Sequence, residues 1–313
     1  MRSNQNSSRT ACLVILQLVF ILLVSGCRMS TMSYIDFRQP AALPAKSSDT
    51  ETAQRPLLIA FATVLSPQET FAQYRQIANY LSYKTGRPAI LVQRRTYEEV
   101  NMLLSNGDVD IAFMSTGAYS SYKGMNEIEL LVMAEYGGNT MYNAEVIVHK
   151  DSNFNTINDL QGKVFTFTDP LSYSGHMVIE NYLRRQNALP ETFFKRYFYT
   201  YSHDRSLWAV ANKVADGASV DSQILEYAKA RTPEIFDKVR IIATIGPAPT
   251  GPIVVKKTMN LQEKEQIRSV FLTMHNDPPT AAAMKKIIID RFVEPTPESY
   301  EPLQNLYTRT KMI

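Results

Sequence analysis

From Pro56 onward, short apolar runs alternate with longer amphipathic stretches, and this alternation constrains the fold more than any other feature of the sequence. The run at 57–62 predicts a buried strand, and the stretch at 67–84 predicts a helix that ends before Gly86. Such alternation favours an α/β fold with a largely parallel sheet. The same order continues with strands predicted at 89–93, 109–113 and 128–134, and helices at 97–105 and 118–123.

A second series of strands and helices follows, and the length of 313 residues suits about two domains of roughly 100–200 residues each. No repeat of fixed period is visible, which excludes solenoid and propeller folds. Ligands of open α/β sheets collect where strands end and helices begin, so the loops at these points are the candidate site. In the second series we predict strands at 146–148, 164–167, around 218, 239–245 and 251–255, with helices at 175–187, 203–214 and 222–230 and a mainly helical remainder.

The composition excludes several classes of partner and cofactor. The 33 Lys and Arg residues against 30 Asp and Glu leave a net charge of +3, too little for a nucleic-acid partner. Two cysteines make neither a disulfide framework nor a Cys-rich zinc site, and the four histidines lack metal-ligand spacing, so no metal is expected. The sequence contains no dinucleotide-binding, phosphate-loop or nucleophile-elbow motif, and no cofactor is predicted.

The N-terminus has the parts of a secretory signal peptide, which we predict at 1–26. Two arginines precede an apolar stretch at 11–24 that is shorter than the roughly 20 residues of a membrane-spanning helix; a permanent anchor is the alternative. The residues Val-Ser-Gly-Cys that end at Cys27 look like a bacterial lipobox, which implies cleavage before Cys27 and its lipidation; the alternative is an ordinary signal peptide with a chance cysteine. Residues 27–55 are then the lipidated cysteine and a flexible tether.

Two of the strand-to-helix loops carry clusters of hydroxyl groups. The first contains Ser115 and Thr116, and either one is a candidate ligand contact or simply the N-cap of the following helix. The second contains Ser172, Tyr173 and Ser174 before a glycine. Because one cap needs one hydroxyl, this second cluster favours an oxyanion site at the positive end of a helix, made without a formal positive charge.

Two further loops each offer one candidate residue. His203 is predicted in the first turn of a helix, where its ring would donate a hydrogen bond to an anion, although a lone histidine is more often structural. Asp221 ends a predicted strand at the start of a helix. It either caps that helix or meets a cationic or protonated part of a ligand, and the sequence leaves both roles open.

Several short motifs follow one another in a specific order along the chain. They are Gly-Asp-Val-Asp-Ile-Ala at 107–112 with Gly-Ala-Tyr at 117–119, Asp-Leu-Gln-Gly-Lys at 159–163, Asp-Pro at 169–170 with Ser-Tyr-Ser-Gly at 172–175, Ser-His-Asp at 202–204 and Val-Asp-Ser at 220–222. With these motifs the chain resembles the phosphate/phosphonate-type periplasmic solute-binding proteins of ABC transporters. The resemblance extends from about residue 57 to 291, and the order and spacing of the motifs carry it rather than any single one.

The resemblance implies a type II periplasmic-binding-protein-like α/β fold, with two lobes joined by a two-segment hinge. Lobe 1 would comprise 56–142 plus 246–313, and lobe 2 would comprise 143–245. Such proteins close on their ligand by a hinge motion.

The resemblance also implies ligand contacts. Serines and a histidine of lobe 2 would hold the oxygens of a phosphoryl-type group, and Asp221 would contact the other end of the ligand. The second loop departs from the expected Ser-Thr-Ser-Gly pattern, because Tyr173 replaces the threonine. With that tyrosine and the two hydroxyls of the first loop, the predicted ligand-binding residues are Tyr97, Ser115, Thr116, Tyr119, Ser172, Tyr173, Ser174, His203 and Asp221.

These features predict a lipid-anchored solute-binding protein that captures a phosphonate, phosphite, phosphate or similar small anion for the permease of an ABC transporter. It would be a monomer on the extracytoplasmic side of the bacterial envelope, attached to the membrane surface through Cys27. A ligand-sensing lipoprotein with a signalling partner is one alternative. An envelope enzyme is another, and its turnover would be lost on replacement of His203 or Ser174.

Overall fold

The computed structural model describes residues 55–310 except Thr63 and Ser66, with only the backbone described at 67–69 and 308–310. The predicted signal peptide, Cys27 and nearly all of the predicted tether lie outside the described residues. Within the described range, no helix is both long enough and apolar enough to cross a membrane.

Eleven strands are formed by the described residues. They are β1 (Leu57–Ala62), β2 (Ala89–Arg94), β3 (Ile111–Phe113), β4 (Ile128–Glu135), β5 (Met141–His149), β6 (Val164–Phe167), β7 (Arg196–Tyr199), β8 (Gly217–Asp221), β9 (Val239–Pro249), β10 (Pro252–Lys256) and β11 (Arg291–Val293).

The helices alternate with these strands, as the amphipathic stretches predict. A π-helical turn at Tyr173–Met177 precedes the fourth α-helix, and 3₁₀ turns lie at Met125–Glu127, Ile157–Leu160, Met274–Asn276 and Pro297–Tyr300. The α-helices are α1 (Pro67–Thr85), α2 (Tyr97–Ser105), α3 (Thr116–Ser120), α4 (Val178–Arg184), α5 (Pro190–Phe193), α6 (His203–Ala211), α7 (Ser222–Arg231), α8 (Pro233–Phe236), α9 (Leu261–Thr273), α10 (Pro278–Lys286) and α11 (Glu301–Thr310).

The strands form two sheets, which we call the first and the second sheet. The first sheet has the order β11-β4-β10-β3-β1-β2, and the second has the order β7-β6-β8-β5-β9. The α/β class predicted from the sequence is confirmed. The first sheet thus collects strands from both ends of the described chain, and the second collects those of the middle.

Both sheets are mixed, so the expectation of a largely parallel sheet is wrong in detail. Strands β1, β2 and β3 run parallel, but β10 lies antiparallel between β3 and β4. The reason is the way the chain passes between the sheets. The chain leaves the first sheet after β4 and enters the second as β5, and it leaves the second sheet after β9 and re-enters the first as β10. Strands β4 and β10 are antiparallel neighbours in the first sheet. Strands β5 and β9 are antiparallel neighbours in the second, with Met141 opposite Pro249.

Alternating side chains of the first sheet build its core on both faces. Leu57 and Ile59 of β1 join the cluster under helices α1, α9 and α10, whereas Ala60 and Ala62 join the cluster around Tyr97. This period of two is the expected pattern of a sheet covered on both sides. The buried faces fix where each strand ends, and therefore where the loops that carry polar residues meet.

Candidate ligand-binding site

A cavity of about 90 Å³ lies where the strand-to-helix loops of the two sheets meet. A water molecule occupies about 30 Å³ of the liquid, so the cavity suits a ligand of a few heavy atoms. Seven of the nine predicted ligand-binding residues line it. They are Tyr97, Ser115, Thr116, Ser172, Ser174, His203 and Asp221.

The first loop uses its hydroxyls both to build the fold and to line the cavity. Ser115 caps α3, because its Oγ accepts from the Ala118 N–H at 3.2 Å and donates to the Leu171 carbonyl at 3.3 Å. The Thr116 hydroxyl donates to the Pro249 carbonyl at 2.7 Å. Ser115 is therefore the N-cap of α3, which was one of its two predicted roles. Its side chain also borders the cavity.

The second loop is a tight turn that leads from β6 into the π-helical turn. Ser172 is buried and accepts from the Gly175 N–H at 2.9 Å. A Cβ on Gly175 would lie 2.5 Å from the Thr168 Cβ and 2.8 Å from the Ser172 Oγ, so only glycine fits there. Ser174 is buried beside it and is held by the Ser219 hydroxyl, which donates to its carbonyl at 2.5 Å.

His203 begins α6 and is held as a neutral ring. Its Nδ1 accepts from the Asp221 N–H at 3.1 Å and lies 3.3 Å from the Thr168 Oγ1. Burial lowers the pKa of His203 to about 3, so the ring carries no charge at neutral pH. Because Nδ1 accepts a backbone N–H, the proton of the neutral ring is on Nε2, and the side chain offers a donor to the cavity that it lines.

Asp221 combines the two roles that the sequence left open. Its Oδ1 accepts from the Gln223 N–H at 2.7 Å, which caps α7. The residue also lines the cavity and is buried. Burial raises the pKa of Asp221 to about 7, so the carboxyl takes up a proton near neutral pH far more readily than an exposed one.

Three tyrosines that are not among the predicted ligand-binding residues also line the cavity, namely Tyr74, Tyr136 and Tyr142. Tyr142 shares hydrogen bonds with the side chains of Thr116 and Ser174. Burial raises the pKa of Tyr142 well above its usual value, and nearby Asp221 raises it further. Burial likewise raises the pKa values of Tyr74, Tyr97 and Tyr136, so all four phenols stay protonated at neutral pH and keep an O–H group that can donate.

Two predicted contacts, Tyr119 and Tyr173, lie outside the residues that line the cavity. Tyr119 packs edge-on against Tyr300, with ring centroids 4.9 Å apart. Tyr173 packs edge-on against Tyr142 at 5.9 Å. The ring that replaces the expected threonine thus enters the core behind the loop, and its contribution to ligand binding stays a prediction.

The cavity offers neutral donors and one titratable acid. No lysine or arginine lines it among the described residues. Hydroxyl, imidazole and backbone N–H groups bind an oxyanion without a formal cation, and bonds to a charged acceptor are stronger than neutral ones. Among the residues that the structure describes, no cluster of three or more His, Cys, Asp or Glu side chains is arranged to hold a metal ion.

Besides the hydrogen bonds of Ser115 with Leu171 and of Thr116 with Pro249, further contacts join the two sides of the cavity. The Tyr97 N–H donates to the Asp169 Oδ2 at 3.2 Å, and the His203 N–H donates to the Val64 carbonyl at 3.0 Å. At the edge, the Arg95 guanidinium lies 4.6 Å from the centre of the Tyr201 ring. Each contact links a residue attached to the first sheet with one attached to the second.

Residues 59–300 match the family described as the phosphonate periplasmic substrate-binding proteins of ABC transporters. The chain belongs to this family. The resemblance inferred from the ordered motifs is confirmed, and the family's description is that of a binding protein and not of an enzyme, in agreement with the prediction. Residues 1–58 and 301–313 lie outside the match.

A curated relative, the phosphonates-binding periplasmic protein of Escherichia coli (strain K12), is 30% identical over 186 residues. The match covers 57% of this chain and 54% of that protein, so it spans about half of the relative's length.

Two solved structures share the fold of this family. A binding-protein component of an ABC phosphonate transporter from Pseudomonas aeruginosa has a TM-score of 0.75 at 21% identity, covering 82% of this chain and 88% of that one. PhnD1 from Prochlorococcus marinus (MIT 9301), in complex with methylphosphonate, has a TM-score of 0.73 at 14% identity, covering 82% and 98%. The type II periplasmic-binding-protein-like fold predicted from the resemblance is thereby confirmed.

Proposed function

We propose that this chain is a lipid-anchored binding protein that captures a small phosphonate-type anion and delivers it to the permease of an ABC transporter. The observation that carries the proposal is His203, a neutral donor in a cavity shared with Ser172, Ser174 and Asp221. The oxygens of the anion accept from the hydroxyls and the imidazole. Asp221 meets a protonated oxygen or a cationic group of the ligand. The family and the curated relative support the same class of ligand.

The proposal includes a closing motion of two lobes, bounded at 56–142 plus 246–313 and at 143–245. The separate sheets support it, because the chain passes between them only twice in the described range, after β4 and after β9. The contacts of Tyr97 with Asp169 and of His203 with Val64 then form on closure and exclude water from the ligand.

A ligand panel tests the proposal directly. Purified protein is titrated with methylphosphonate, phosphite, phosphate and methanesulfonate, and its thermal unfolding is followed. A ligand present at a hundred times its dissociation constant stabilises the folded state by about 2.7 kcal/mol. Stabilisation by at least one phosphorus oxyanion is expected, and the absence of any shift across the panel would contradict the proposal.

Replacement of His203 tests the site itself. In His203→Ala the donor to the ligand and the acceptor for the Asp221 N–H are both lost, and a weakening of affinity by at least about tenfold is expected. His203→Gln keeps one donor and one acceptor, and should recover part of the affinity. His149→Ala is the matched control, because His149 lies outside the cavity lining. Equal affinities of the two alanine variants would exclude His203 from the site.

The lipid anchor has its own experiment, in cells that process bacterial lipoproteins. We expect the intact chain to incorporate labelled fatty acid and to fractionate with membranes, and Cys27→Ser to incorporate no label, because the acyl chains that attach the protein are bound to Cys27. Cys12→Ser, which changes the other cysteine of the sequence, should remain attached. Incorporation of labelled fatty acid by Cys27→Ser would exclude Cys27 as the lipidated residue.

A further inference from the structure

Both sides of the cavity contribute hydroxyl groups, but only the side of the second sheet contributes an imidazole and a carboxyl, and the aliphatic side chains lie almost all on the side of the first sheet. The second sheet and its helices contribute hydroxyls, an imidazole, a carboxyl and an amide through Ser172, Ser174, His203, Asp221 and Gln223. Except for Ile224, every aliphatic and phenylalanine side chain that lines the cavity comes from the first sheet or its connected segments. We use the term apolar wall for Phe113, Ile253, Ile288, Ile289 and Phe292.

One residue of the apolar wall has an unusual backbone. Ile288 adopts the left-handed conformation, with φ 59°. It follows α10, where the Ile288 N–H donates to the Lys285 carbonyl at 3.2 Å and the Ile289 N–H donates to the Met284 carbonyl at 3.0 Å. This is the helix-ending motif in which glycine is the usual residue. A β-branched side chain at such a position is a steric outlier.

Two other helices end in the same way without this conflict. Asn187 after α4 and Lys213 after α6 also have positive φ, at 55° and 60°. Asparagine tolerates the left-handed conformation, and the Lys213 side chain is 65% exposed. Ile288 is half-buried and is the one of the three that lines the cavity. Strained residues of this kind concentrate at ligand sites, where the side chain has a use that offsets the strain.

A phosphonate has a polar half and a half that can be apolar, with three oxygens on one side of phosphorus and a carbon substituent on the other. The oxygens fit the donors of the second sheet, which directs the substituent toward the apolar wall. Resting on the proposed function, we propose that Ile288 is a specificity-determining residue that contacts this substituent and selects an uncharged alkyl group over an ammonium-bearing one. Asp221 then faces a protonated oxygen of the anion.

Affinities for a graded series of ligands test the selection. Isothermal titration with phosphite, methyl-, ethyl- and propylphosphonate should give an affinity that rises by up to about fourfold for each added CH₂ group. Propylphosphonate and 2-aminoethylphosphonate have nearly the same size but differ in charge, and we expect the propyl compound to bind at least tenfold more tightly. An affinity that is independent of chain length, or that favours the ammonium compound, overturns the inference and leaves the proposed function intact.

Variants then assign the selection to Ile288. In Ile288→Gly the apolar contact is removed and the left-handed strain is relieved, so the ligand-free melting temperature should change little while propylphosphonate binds about tenfold more weakly. Phosphite, which has no carbon substituent, should lose less than twofold. Lys213→Gly makes the same change at an exposed helix end and should leave both affinities unchanged.

Two results would overturn the assignment. Equal losses for propylphosphonate and phosphite in Ile288→Gly would mean that the residue supports the fold or closure rather than specificity. Should Ile288→Gly fail to fold, Ile288→Asn provides the same comparison, because asparagine tolerates this backbone and presents a polar group to the wall. Failure of the wild-type protein to bind any phosphonate or phosphite overturns the proposed function, and the inference with it.

Discussion

His203 and Asp221 are buried side by side, and burial moves their pKa values in opposite directions. The pKa of His203 falls to about 3, and that of Asp221 rises to about 7. Each shift disfavours the charged form, because burial removes the water that would solvate the charge. The site therefore suits a charged ligand. Without a ligand, ionisation of the buried Asp221 carboxyl at high pH destabilises the folded state.

This destabilisation predicts a pH-dependent stability. Between an unfolded pKa of about 3.9 and the folded value, the native state binds a proton that the unfolded chain does not, so the contribution of Asp221 to the free energy of unfolding falls as pH rises. Asp221→Asn keeps the oxygen that accepts from Gln223 and removes the charge. We expect the stability of the variant relative to wild type to increase by about 2–3 kcal/mol between pH 5 and 8.

Urea unfolding of the ligand-free proteins at several pH values measures this difference. The opposite effect of His203, whose lowered pKa destabilises the fold as pH falls from 6.5, is common to both proteins and cancels. A difference in stability that does not vary with pH would contradict the assignment to Asp221.

Residues of the site were predictable where a loop needs a special side chain. Ser172, Ser174, His203 and Asp221 stand out because hydroxyls, a histidine and an acid follow predicted strands. Tyr74 and Tyr142 were missed because an aromatic residue within a helix or strand looks like core. Their hydroxyl groups were the available signal, since a buried tyrosine needs a polar partner that phenylalanine does not.

At the scale of elements, Asp169 connects a loop of the second sheet to a helix of the first. It is buried, and its carboxylate accepts from the Leu171 N–H at 2.8 Å and from the Tyr97 N–H at 3.2 Å. The second bond lies at the N-terminus of α2, where the helix dipole favours a negative charge. Burial raises the pKa of Asp169, and the two backbone bonds oppose that rise.

Asp169→Ala removes both bonds and should weaken methylphosphonate binding by about tenfold, since under the proposed closure the closed form loses a charge-assisted hydrogen bond. Asp169→Asn keeps an oxygen that can accept from one N–H and should lose less. Titration calorimetry gives the affinities, and thermal unfolding without ligand gives the stability. A variant that is less stable but binds with wild-type affinity would show that Asp169 only supports its own loop.

Elements with a strong local pattern were predicted well, and those defined by distant partners were not. Helix α2 and strand β6 match their predicted limits, because capping and burial are encoded locally. Strands β7 and β11 were not predicted. They are edge strands of 4 and 3 residues, and β11 pairs with β4 far back in the chain. Hydrophobic periodicity also carries no information about strand direction, so it does not predict that β10 is antiparallel.

At the scale of the whole molecule, binding and closure are one event if the loops of the two sheets meet only in the closed form. One point where the loops meet is Gly117 of α3, whose backbone lies too close to the second loop to leave room for a side chain. A Cβ there would clash with the Leu171 carbonyl and lie 2.7 Å from the Tyr173 nitrogen, both in the second loop. A methyl group at this position therefore acts on closure without replacing any residue that lines the cavity.

Gly117→Ala should leave the ligand-free melting temperature nearly unchanged, because an open form relieves the clash, and should abolish most of the ligand-induced stabilisation. Small-angle X-ray scattering of the wild type should show a smaller radius of gyration with methylphosphonate, and the variant should show none of this decrease. Gly124→Ala is the control, since the atoms nearest to its Cβ would belong to the Tyr122 side chain and not to the second loop. It should lose some stability but still close. Wild-type compaction in Gly117→Ala would mean that the second loop yields on closure and that the contact at Gly117 does not govern binding.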